Sequence, residues 1–128
     1  MMRLASGAAL ILALSAGTAL AAGPETKMMA TSAGEIMVDA KGMTLYTFDK
    51  DEPGVSNCYD QCVVNWPLFE VSADAMAEGD WTIVDRKDGT KVWAYEGQPL
   101  YYYINDKQPG DVTGDGKGDV WHVIKSGM

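Results

Sequence analysis

The chain is poor in the residues that mark most metal-binding and catalytic proteins: it has two cysteines, one histidine and two phenylalanines in 128 residues. Basic residues are also few, with 10 Lys and Arg against 18 Asp and Glu and a formal net charge of -8. That balance excludes nucleic acid and disfavours anionic lipid, because both need clustered cations, while leaving basic partners open. The carboxylates are scattered rather than blocked, which describes a solvated surface. No H-E-x-x-H, paired C-x-x-C, phosphate-cradling glycine loop or nucleophile elbow occurs, so no familiar catalytic constellation is present. A long apolar run is missing as well. The stretch from Leu4 to Gly17 is diluted by Ser6, Gly7 and Ser15 and falls short of the roughly 20 residues a spanning helix needs.

That short stretch has another meaning. Arg3 precedes it, and small residues at Ala19 and Ala21 follow it, which is the layout of a secretory signal with an A-x-A cleavage site. Residues 1–21 are expected to be a removed signal peptide. The remaining 107 residues carry nine basic and 18 acidic groups, enough chain for one modest core. No cysteine lies near the cleavage site, so neither a lipid anchor nor a membrane span is expected afterwards. Residues 22–33, with Pro24, two threonines and the Met28-Met29 pair, read as a flexible leader, and residues 34–128 as a single domain.

Within the domain the sequence repeats itself. Gly42 to Asp51 aligns with Gly97 to Asp106 at an offset of 55, and Gly34 with Gly89 and Trp66 with Trp121 fall at the same offset. Pro53-Gly54 matches Pro109-Gly110 after a slip of one residue. Residues 34–69 and 89–124 are therefore two copies of one unit. In the first copy Glu35 to Ala40 alternates polar and apolar residues, turns at Lys41-Gly42 and returns as Met43 to Phe48. In the second, Lys91 to Tyr95 and Pro99 to Ile104 do the same around Glu96-Gly97. Trp81 to Asp85 is a further strand, joined to Lys91 through Lys87-Asp88-Gly89. Pro67 to Val71 and Val120 to Lys125 are closing strands, and Ser72 to Gly79 is the one helical turn expected. The fold class is all-β: a small antiparallel sandwich or barrel built from two duplicated hairpin units with pseudo-twofold symmetry.

Tyr46-x-Phe48-x-x-Asp51 and Tyr101-x-Tyr103-x-x-Asp106 both fit Y-x-[FWY]-x-x-D. With Cys58-x-x-x-Cys62, Asn65-Trp66-Pro67-Leu68 and Trp121-His122-Val123, the chain resembles the secreted repeats and predicted lipoproteins that share this motif. The resemblance covers nearly all of the chain after the signal and implies export and a repeat fold, with no established activity attached. Residues two apart in a strand share a face, so Tyr46 with Phe48, and Tyr101 with Tyr103, form either an aromatic platform for a sugar or peptide or a pair of core rings. The core is favoured, with each Asp fastening the turn beyond its strand, because a packing device recurs in every copy whereas an active site need not. Trp66, Trp93 and Trp121 are expected in the core too. Leu45, Thr47, Leu100, Tyr102 and Ile104 point the other way and are left as a candidate binding strip.

Three further features invite chemistry. Cys58 and Cys62 would lie about 13 Å apart in a strand but about 6 Å apart across a helical turn, so a disulfide closing a tight turn or short helix is favoured. The alternative is a copper-handling or electron-transfer site made of Cys58, Cys62 and His122. Asp111, Thr113, Asp115 and Asp119, with Gly116, imitate the start of a calcium loop, although His122 stands where the bidentate Glu belongs. A stabilised acidic turn is favoured over a calcium-dependent adhesion domain. The lone His122 has no recognisable nucleophile beside it. The sequence thus describes a periplasmic or secreted, non-enzymatic β-repeat module that binds an envelope protein or a glycan.

Overall fold

The computed structural model describes residues 23–126, so the expected signal peptide lies outside the described residues. Seven short strands make up the fold: β1 (Thr26–Thr31), β2 (Gly34–Asp39), β3 (Tyr46–Phe48), β4 (Trp81–Asp85), β5 (Lys91–Tyr95), β6 (Gln98–Pro99) and β7 (Trp121–Val123). One five-residue helix, α1 (Gln61–Asn65), follows β3. All pairings are antiparallel, in sheets ordered β1-β2, β3-β7 and β4-β5-β6, and these sheets do not close into a barrel.

The segment expected to be a flexible leader is instead largely strand. β1 pairs with β2 along its whole length, from Thr26 opposite Asp39 to Thr31 opposite Gly34. None of its side chains is fully buried, so the apolar alternation that betrays a strand is weak; backbone hydrogen bonds to β2 and the packing of Met29 against the core hold it in place. The full-length partner of β2 is therefore β1. The expected return strand meets β2 only through the Val38–Thr44 bridge and two backbone bonds, Asp39 N–H to Met43 O and Leu45 N–H to Met37 O. In the second copy β4 and β5 form the expected hairpin, and β6 adds to β5 around Glu96-Gly97. Each copy is thus a meander, three-stranded in the second and closed by the single Val38–Thr44 bridge in the first, and the repeat reaches further toward the amino terminus than residue 34. Gly42 and Gly97 stand at the same turn with φ of 92° and 87°, a left-handed conformation that L-residues with a side chain rarely adopt. The helical turn expected at Ser72 to Gly79 is reduced to a single turn, Ala75 N–H to Ser72 O at 3.1 Å, which does not continue as a helix; Ala75 packs on the second core and Met76 is exposed.

The two copies interlock rather than stand side by side. Tyr46 N–H donates to Tyr101 O at 2.8 Å and Tyr101 N–H to Tyr46 O at 3.0 Å, so the pseudo-twofold axis passes between these residues. Each copy's motif strand then pairs with the other copy's closing strand: Tyr46 lies opposite Val123, and Tyr101 opposite Leu68. One core gathers the motif rings with Ile36, Val38, Val92 and Val123, and a second packs Met37, Leu45, Phe69, Trp93 and Leu100 on the opposite face.

Candidate functional site

The paired motif is a crossed latch. Tyr46 donates its hydroxyl to Asp106 Oδ2 at 2.6 Å, and Tyr101 donates to Asp51 Oδ2 at 2.6 Å. Each tyrosine thus binds the aspartate of the opposite copy. Each aspartate also holds its own loop, Asp51 accepting from Asn57 N–H and Asp106 from Thr113 N–H and Oγ1–H. Tyr46 and Tyr101 are fully buried. Burial, reinforced by the aspartate acceptors, pushes both phenols well above the usual tyrosine range. Burial likewise raises the Asp51 carboxyl, against the opposing pull of its hydrogen bonds and of Arg86.

The other motif rings cross over too. Phe48 stacks on Trp121 and Tyr103 on Trp66, both at 4.1 Å, while Trp66 and Trp121 stack on each other at 3.8 Å. Four rings from two copies form one column, with Tyr46 and Tyr101 set edge-on against its tryptophans, each at 5.3 Å. The motif is packing, as favoured from the sequence, and Trp66, Trp93 and Trp121 are all buried. The strip suggested for the opposite face is not a free surface. Leu45 and Leu100 are fully buried in the second core, and Tyr102 donates to Asp39 Oδ2 at 2.8 Å; of the strip, Ile104 is exposed.

Cys58 and Cys62 are joined in a disulfide with Cα atoms 5.3 Å apart, and Cys62 lies in the first turn of α1. The copper reading that needed both thiolates with His122 is corrected, since bonded sulfurs offer no thiolate pair. Above the loop lies Arg86, a burial the sequence did not betray. Its guanidinium donates to Ser56 Oγ at 2.6 Å, Cys58 O at 2.7 Å and Thr90 Oγ1 at 2.8 Å, and covers the face of Tyr59 at 4.0 Å.

The calcium-like stretch is spent on internal bonds. Asp111 accepts from the Lys107 and Gln108 N–H groups, Thr113 turns to Asp106, Asp115 accepts from Val123 N–H, and Asp119 is exposed with φ of 62°. These oxygens do not converge on one point. Among the described residues no three His, Cys, Asp or Glu side chains gather as a metal site. His122 lies on β7 with Nε2 2.8 Å from Asp49 Oδ2, and among the described residues no hydroxyl is hydrogen-bonded to the ring.

His122 also lines a groove of about 600 Å³ whose walls include Met28, Met37, Thr47, Tyr95 and Ile124. Met28 and Met37 face each other across β1 and β2. The sequence did carry a signal for this site: Thr47 stands where the second copy has Tyr102, so the first copy lacks a ring.

A family described as a secreted repeat of unknown function matches residues 27–70 and again residues 82–125. The two matches keep the offset of 55 and include most of β1 and β4, which agrees with the meander as the repeating unit. No curated protein and no solved structure matches the chain. The crossed latch and shared ring column account for the doubling as a folding requirement, and the chain belongs to this family of secreted repeats of unknown function, which it carries twice.

Proposed function

We propose that this exported chain is a non-enzymatic binding module of the periplasm or cell exterior, released after removal of residues 1–21, and that it takes an envelope protein into the Met28–Met37–His122 groove. The observation that carries this reading is a break in the internal symmetry. The latch and the tryptophans of the column are filled alike in the two halves, whereas Thr47 leaves open a space for which the second half has the Tyr102 ring. An apolar groove with polar groups at its rim is the usual form of a binding site.

A protein partner is favoured over a glycan. Sugars stack on open aromatic faces, whereas the tyrosine that lines the groove, Tyr95, is half-buried with its ring 4.9 Å from that of Trp81. Catalysis is not favoured, because the His122–Asp49 pair has no nucleophile bonded to it.

The test is methyl NMR on protein labelled at its methionine methyls, titrated with p-cresol and separately with chito-oligosaccharide. The expected result is that p-cresol moves the Met28 and Met37 methyls, leaves Met76 still, and that the sugar moves none. A response to the sugar alone would transfer the reading to glycans. Silence toward both would reduce the groove to a packing gap.

A further inference from the structure

We infer that the groove is a seat for a tyrosine side chain presented by a basic segment of the partner protein; this rests on the binding reading above. The argument comes from the pseudo-twofold. Tyr102 has three defined neighbours: Phe69, whose ring meets it edge-on at 5.7 Å; Asp39, which accepts its hydroxyl at 2.8 Å; and Pro67, whose carbonyl accepts its N–H at 2.7 Å. The registers carry these to the other half without ambiguity. Trp93 N–H bonds to Phe69 O as Met37 N–H bonds to Ile124 O, so Ile124 is the image of Phe69. Trp81 opposite Tyr95 repeats Thr26 opposite Asp39, so Tyr95 is the image of Asp39. His122 pairs with Thr47 where Pro67 receives Tyr102.

Ile124, Tyr95, His122 and Thr47 all line the groove. The groove is therefore the symmetry image of the place that Tyr102 fills, with the ring removed and the backbone that would frame it retained. A ring entering there packs on Ile124 and the paired methionines, whose thioethers make favourable contacts with aromatic groups. Its hydroxyl is carried toward Tyr95 and the neighbouring Glu96 and Gln98, which also line the groove and supply acceptors. The groove's own charged lining is mixed, Glu96 with Lys125, and it is the whole protein's excess of 18 acidic over nine basic residues after the signal that selects a basic segment to present that ring, through long-range attraction and not through a single ion pair.

The probes are the peptides acetyl-KKYKK-amide and acetyl-KKAKK-amide, added to protein labelled at its methionine methyls. The tyrosine peptide is expected to move the Met28 and Met37 methyls upfield by ring current, and the alanine peptide to bind about tenfold more weakly without that shift. Thr47→Tyr is expected to move the same methyls with no peptide present, since the introduced ring occupies the seat from within, and to abolish the peptide response. Equal responses to the two peptides would reduce the contact to surface charge and overturn the inference. So would methyl shifts produced by silver(I) alone, which would make the methionines and His122 a soft-metal site. Should p-cresol enter and the tyrosine peptide not, the inference falls while the binding reading survives. The comparison of the two peptides uses the unaltered protein, so it decides the matter even where Thr47→Tyr does not fold.

Discussion

The hydroxyl of Tyr46 is bonded to Asp106, 60 residues further along the chain, and not to Asp51, which completes its own motif. The reciprocal bond from Tyr101 to Asp51 makes the two motifs one object. Neither copy can satisfy its buried phenol alone, because the acceptor is supplied by its twin. An unpaired buried hydroxyl is costly, so the repeat is stable as a pair and not as a single unit.

A double-mutant cycle measures this crossing. Tyr46→Phe combined with Asp106→Ala is expected to show a coupling energy of about 1–3 kcal/mol, the range for a hydrogen bond to a charged group. Tyr46→Phe combined with Asp51→Ala should be additive to within about 0.5 kcal/mol. Urea unfolding of the three single and two double variants checks it. Coupling within a motif rather than between motifs would contradict the latch.

Asp51 gives the pH dependence. Burial raises its carboxyl in the folded protein, so over the range between the ordinary carboxylate value and the raised one the folded state holds a proton that the unfolded chain has lost. This group's contribution is fully present below the ordinary value and declines as pH rises through that window. Asp51→Asn keeps polar groups for Asn57 and Tyr101 but does not titrate. The expected outcome is that the stability of the unaltered protein falls relative to Asp51→Asn as pH rises from about 3 to 6, where carboxylates titrate. Melting temperatures measured across that range test it, and a difference that grows in the opposite direction would contradict the burial.

The sequence exposed the duplication and the core role of the aromatics because both depend on residue identity at fixed spacing. It did not expose the crossing: each Asp follows the tyrosine of its own motif closely in sequence, yet it binds the tyrosine 60 or 50 residues away that the reciprocal Tyr46–Tyr101 backbone pair brings beside it. β1 is not legible because none of its side chains is fully buried and its order comes largely from the backbone of β2. Arg86 is hidden for a related reason, since its partners Ser56 and Cys58 come from a distant loop. Among the groove residues, the substitution of Thr47 for the ring at Tyr102 was readable from the repeat alignment. Which of the two positions faces a cavity was not, because that depends on Ile124 replacing the larger Phe69 in the opposing strand.

The disulfide should matter modestly. The loop it closes spans a sequence separation of 4, so chain entropy assigns the bond about 2 kcal/mol. The bond from Arg86 to the Cys58 carbonyl at 2.7 Å involves no sulfur. Replacing both cysteines by alanine is expected to lower stability by about 2 kcal/mol while leaving the cooperative unfolding transition intact. Thermal or urea unfolding of this variant measures the cost, and loss of the folded state would mean that the bond organises much more than its loop.

Two glycines separate crowding from backbone strain. At Gly114 an added Cβ would stand 2.7 Å from Trp66 and 2.9 Å from Tyr103, both members of the ring column. Those rings are stacked on Trp121 and cannot withdraw without parting the two copies. At Gly34 an added Cβ meets nothing within 4 Å, but φ is 105°, so the penalty there is conformational. Gly114→Ala is expected to cost about 3 kcal/mol, the upper end for overpacking, and to change the near-ultraviolet circular dichroism as the tryptophan stack shifts. Gly34→Ala is expected to cost about 1–2 kcal/mol, the penalty for a side chain in left-handed backbone, with that spectrum preserved. Equal costs with unchanged spectra would show that the column yields easily. It could not then be what holds the copies together, and the crossed Tyr–Asp bonds would have to carry the association by themselves.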